Sequence, residues 1–82
     1  MAHRYVTVRV VGSDGRPVRD ARVSLQIFQF MAGGFTKDQR TDSEGQTTIE
    51  VDADGGAECV VFVNGSEVAR RGSIQGLYTV YI

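Results

Sequence analysis

Apolar and polar residues alternate with a period of two over most of the chain, and no other feature limits its fold so tightly. Val6, Val8 and Val10 share one parity while Tyr5, Thr7 and Arg9 share the other. The pattern returns with Ala21, Val23, Leu25 and Ile27 against Arg22, Ser24 and Gln26, and again with Thr47, Ile49 and Val51 against Gln46, Thr48 and Glu50. A period of two is that of a β-strand with one dry and one wet face, and a helix cannot use it. Cys59 to Val63 is continuously apolar, as a central strand is, and Leu77 to Ile82 is rich in β-formers.

The breaks between these runs carry turn chemistry. Gly12 to Pro17 gathers glycine, aspartate and proline, Thr41 to Gly45 and Asp52 to Gly56 gather glycine and aspartate, and Asn64-Gly65 is the dipeptide that favours a type I′ hairpin. Phe35 to Arg40 is polar and weakly alternating, the look of a short edge strand, and Gly72 to Gly76 reads as a last turn. About seven strands with short connections and no helix predict an all-β, two-sheet sandwich with Greek-key crossings.

The chain's 82 residues make one domain spanning 1–82, since a second core has no room. With 41% hydrophobic and 23% charged residues the composition is globular, neither disordered nor membrane-spanning. No apolar run approaches a membrane span and no signal-peptide core opens the chain, so a cytoplasmic protein or a piece of a larger, exported one is expected. The net charge of −1 argues against nucleic acid as a partner. Charge is nonetheless uneven: the first 41 residues carry most of the bases, and Asp42 to Glu67 carries acids alone. Opposite-signed strands lying side by side would neutralise it.

Candidate chemistry is sparse. His3 is the single histidine and stands near the start, where a surface group is the plain reading. Cys59 is the single cysteine and lies in the apolar run, without the electropositive setting that makes a thiol reactive. Asp52, Asp54 and Glu58 offer hard oxygen ligands to calcium but lack the spacing of an EF-hand loop, and a solvated turn is the plainer reading. No catalytic residue, metal or cofactor is therefore expected.

The segment FQFMAGGF, Phe28 to Phe35, holds three of the four phenylalanines around a Gly33-Gly34 pair. Phe28 and Phe30 have the parity of the polar residues of their strand. A bulge that flips the register would return them to the core, and an unbroken strand would leave them outside. As a loop they would cap one end of the sandwich, which the small core favours. As an exposed patch, Phe28, Phe30, Met31 and Phe35 would be an interaction surface for a partner protein, a second copy or a ligand.

The sequence DGRPVRDARVSLQ, followed by RTDSEGQTTIEV and VVFVNGSEV, resembles the carboxypeptidase regulatory-like and transthyretin-like (prealbumin-like) β-sandwich group over about residues 6 to 65. The resemblance implies a prealbumin-like, immunoglobulin-like sandwich, commonly an appendage of secreted or surface proteins and without catalysis of its own. One branch of the group hydrolyses 5-hydroxyisourate with several histidines, an arginine and a C-terminal Tyr-Arg-Gly-Ser. This chain has His3 alone, and its Arg71-Gly72-Ser73 follows Arg70. The expectation is thus a non-catalytic module acting through protein contacts, with a ligand-binding module for carbohydrate or calcium second and a hydrolase last.

Overall fold

The computed structural model describes residues 2–30 and 33–82. Eight strands and no helix occur among them: β1 (Ala2–Val11), β2 (Arg22–Phe28), β3 (Gly34–Phe35), β4 (Gln39–Arg40), β5 (Gln46–Ala53), β6 (Glu58–Val63), β7 (Ser66–Ser73) and β8 (Leu77–Tyr81). They form a two-sheet β-sandwich. One sheet has the order β5-β1-β8, antiparallel between β5 and β1 and parallel between β1 and β8. The other runs β3-β2-β6-β7, with β4 also paired to β2. The chain crosses between sheets after β1, β4, β5 and β7, so neighbours in a sheet are seldom neighbours in sequence.

The period-two parity decides what lies between the sheets. Val6, Val8, Val10, Val23, Leu25, Ile49, Val51, Val61 and Val80 are all buried. Each such side chain contributes roughly 1.5–3 kcal/mol by leaving water. Cys59 and Val63 complete the inner face of β6, which lies between β2 and β7 as its apolar run predicts. The Asn64-Gly65 hairpin has positive φ at both central residues, 51° and 84°, the geometry a type I′ turn requires.

Two elements differ from the sequence reading. The FTKDQR segment is not one edge strand but two short pieces, β3 and β4, both on β2. Thr36 between them keeps contact with β2 by other means: its N–H donates to the Leu25 carbonyl (2.9 Å) and its hydroxyl accepts from the Leu25 N–H (2.9 Å). Second, β7 continues through Gly72 to Ser73, so the last turn is shorter than the glycine spacing predicts.

One end of the sandwich is built from the two turns that carry the family resemblance. Asp14 accepts from the Arg16 N–H, Asp42 accepts from Glu44 and Gln46, and Gly45 N–H donates to the Asp42 carbonyl. The Gly45 carbonyl then accepts from Val10, whose own carbonyl accepts from Val18. Gly45 has φ of 76°, and a Cβ there would lie 2.7 Å from the Val10 oxygen and 2.9 Å from Cβ of Pro17. Gly45→Ala is therefore expected to lose about 2 kcal/mol or more from left-handed strain and the clash combined. A thermal melt followed by circular dichroism should fall by roughly 8 °C or more. A melt within a degree or two of the parent would show that the two turns need no such approach.

Candidate functional site

β2 pairs with β6 in unbroken register from Val23↔Val63 to Phe28↔Glu58. No bulge intervenes, so Phe28 keeps the outward parity of Ser24 and Gln26. Phe35 lies opposite Gln26 in β3 and shares that face, with its ring 6.1 Å from that of Phe62 in β6. Phe30 follows the strand and is 87% exposed, and Phe35 is 69% exposed. The capping role that the small core favours is thus not the one these rings take. Met31 falls outside the described residues.

The end of the core beside these rings is closed by other groups. Ala53, Ala57 and Ile74 are buried there. Arg4, which has the inward parity of Val6, donates to the Ile74 carbonyl (2.9 Å) and the Asp54 carbonyl (3.3 Å). Gln29, with the inward parity of Ile27, reaches to the opposite sheet: its amide donates to the Asp52 carbonyl (3.3 Å) and accepts from the Asp54 N–H (2.8 Å). An arginine and a glutamine do the closing because their polar ends satisfy strand-end carbonyls and amides that an aromatic ring would leave bare.

Phe28 is half-buried beneath a cation. The Arg71 guanidinium lies 4.0 Å from the ring centroid, and Arg71 Nε donates to Glu58 Oε1 at 2.9 Å. This trio is a cation–π contact and an exposed ion pair sharing one arginine, worth on the order of 1 kcal/mol together. The aromatic face continues into a groove of about 600 Å³ whose walls include Phe28, Phe30, Gln26, Glu58 and Arg71, with Gly33 and Gly34 at its edge. On the other side of the same glycines, a hollow of about 220 Å³ lies between Phe35, Thr36 and the Glu50–Asp52 stretch of β5.

The other candidates separate. His3 sits in β1 opposite Asp52, with Nδ1 3.1 Å from Glu50 Oε2; the Tyr5 hydroxyl also donates to that oxygen at 3.3 Å. All three lie on the exposed face of the β1 sheet. Glu58 is directed to Arg71 and so away from any common site with Asp52 and Asp54. Among the described residues no three His, Cys, Asp or Glu side chains come together as metal ligands. Among the described residues Arg71 pairs with Glu58, while Arg4 and Arg40 bond carbonyls instead.

Cys59 is buried and its thiol is 3.2 Å from the Tyr78 hydroxyl. That hydroxyl accepts from the Gln75 N–H (3.1 Å) and donates to the Ser73 carbonyl (3.2 Å), joining β8 to the β6-β7 sheet. The sequence reading passed over Tyr78, although its inward parity with Val80 marks it. Burial pushes the Tyr78 hydroxyl up to about 12, the hydrogen bond with Cys59 adds to the rise, and the Gln75 N–H opposes it. Since the folded value stands above the ordinary tyrosine value of 10.0, the contribution to stability is complete below that value. It is lost as pH rises through the folded value of about 12. Denaturant melts between those pH values should therefore show stability falling, and Tyr78→Phe should flatten that slope. An unchanged slope in Tyr78→Phe would mean that another group titrates there.

No protein-family model matches the chain, and no similar protein is found among those of curated function.

Proposed function

We propose that the chain is a non-catalytic β-sandwich module that binds a partner protein through the outer aromatic face of the β2 sheet, with Phe28, Phe30 and Phe35 as contacts. The observation that carries this reading is the placement of Phe30 and Phe35 in water beside a groove, in a molecule whose core closes without them. Rigid aromatics that the core does not use and that surround a concave surface are the composition of a binding hot spot. The resemblance to carboxypeptidase regulatory-like and transthyretin-like domains agrees with an appended, non-catalytic role. Met31 belongs to the same segment of sequence and joins the candidate contacts on that ground alone.

The test separates binding from folding. Phe30→Ser with Phe35→Ser should change stability by no more than about 0.5 kcal/mol at each site, since exposed side chains contribute little. It should weaken capture of the partner, once one is isolated with the parent chain, by tenfold or more. Retention of every partner by the double variant would move the binding surface elsewhere.

A second reading, a small polar ligand such as a carbohydrate, is favoured by the amide, carboxylate and guanidinium of Gln26, Glu58 and Arg71 on the groove wall. Titration with a panel of oligosaccharides should then shift the amide NMR signals of Gln26 and Glu58 before those of β5. No shift at millimolar sugar removes this reading. Its calcium form has no support in the geometry, since Asp52, Asp54 and Glu58 do not converge.

A further inference from the structure

A sandwich of two open sheets has four edges, and three of them are blunted by devices visible in the structure. The β3/β4 edge consists of two-residue fragments. The β7 edge carries Arg70 and Arg71 and is broken by two register shifts against β6. The β5 edge turns the backbone groups of its even-numbered residues outward, and side chains cover several of them. Asp42 bonds Gln46, Gln39 donates to the Thr48 carbonyl at 3.3 Å, and Gln29 donates to the Asp52 carbonyl. Short strands, bulges, charges and covering groups are the recognised protections of an edge.

The β8 edge has none of these. Thr7 N–H donates to the Gly76 carbonyl and Ile82 N–H to the Val11 carbonyl, and the parallel register runs without a break from Thr7↔Leu77 to Val11↔Tyr81. That phase turns the backbone groups of Tyr78 and Val80 toward β1 and those of Leu77, Thr79 and Tyr81 away from it. The strand carries no charge, proline, glycine or bulge. Leu77 (56% exposed), Tyr81 (72%) and Tyr5 (63%) add an apolar outer surface beside it.

We infer that β8 is a pairing edge and that its occupant is the β8 strand of a second copy of the chain, antiparallel and centred on Thr79. The edge is self-complementary in that register. Thr79 lies opposite the partner's Thr79, where each exchanges an N–H and a carbonyl, and Leu77 lies opposite the partner's Tyr81 on both sides of the two-fold axis. Apolar residues then meet apolar residues on the outer face, no like charges oppose each other, and the two β5-β1-β8 sheets become one continuous sheet. A five-residue strand buries less than a standard interface, so the dimer is weak and reversible.

Sedimentation equilibrium up to about 1 mM checks this, with hydrogen exchange at low and high concentration. The expected result is a reversible dimer in which exchange at the Leu77, Thr79 and Tyr81 amides slows as concentration rises. Thr79→Pro removes the central outward N–H, and Thr79→Glu places like charges on the two-fold axis while facing Arg9 within its own sheet. Each should leave a monomer at concentrations where the parent chain is dimeric. Should Thr79→Pro fail to fold, Thr79→Glu and the exchange pattern of the parent chain still decide. A parent chain that stays monomeric at the top of the range overturns the proposal. So does a dimer that survives Thr79→Glu, or one whose protection falls on the phenylalanine face. Binding of an extended peptide along β8 without self-association would equally reject a second copy as the occupant.

Discussion

The buried hydroxyl of Thr41 is the point on which the arrangement of the two sheets turns. It is the one buried polar side chain among the described residues, and it accepts from the Ala21 N–H (3.0 Å) while donating to the Val18 carbonyl (2.6 Å). The Thr41 N–H donates to the Ala21 carbonyl and its carbonyl accepts from Asp20. One residue thus joins the start of β2 to the segment that returns the chain toward β5. Because its hydroxyl is buried and fully bonded, its partners have no water to replace it, and the link holds the crossing in place. Four residues later Gly45 brings the same segment against Val10 and Pro17, so β1, β2 and β5 are fixed at one end by neighbouring contacts.

With that end fixed, the far end is closed by whatever has the inward parity when the strands arrive there. On β1 this is Arg4 and after β2 it is Gln29, and both bond across the opening. The phenylalanines have the opposite parity because β2 runs without a bulge from Arg22 to Phe28. Their exposure follows from an uninterrupted ladder and not from a missing core. The aromatic face and the sealed end are therefore one fact: a shift of one residue in β2 would bury Phe28 and expose Ile27 and Leu25.

The period of two made the strands and their faces legible, because burial acts on each side chain in turn and leaves its mark at each position. Asn64-Gly65, Asp42 and Gly45 were legible for a similar reason, since the turns they make are local and need those residue types. What the sequence left open depended on a comparison between distant segments. Whether Phe28 and Phe30 face in or out turned on whether β6 pairs β2 without a bulge, and that is set by partners 30 or more residues away. Arg4, Gln29 and Tyr78 were readable by parity alone, yet a polar residue on an inward position reads as an exception until the carbonyls it meets are known. His3 is the surface group its position predicts, and what the sequence left unread is its neighbour across the sheet, Glu50 of β5.

The two sheets treat their edges by different chemistry, and the difference follows from the chain's route. The β2 sheet gains its outer strands through hairpins and short returns, so its edges are made of fragments, bulges and arginines that come with tight local turns. The β1 sheet receives β5 and β8 from crossings, and its edges are full-length strands that local turn chemistry cannot shorten. Cover for β5 comes from Gln29 and Gln39 of the opposite sheet, which lie above it because β3 and β4 flank β2 on that side. On the other side β7 ends near the start of β8, and the hydroxyl of Tyr78 binds the Ser73 carbonyl. The tie between the sheets is thus made by a side chain, from the residue whose backbone faces β1. Tyr78 fastens β8 without consuming a single hydrogen-bonding group of its outer edge.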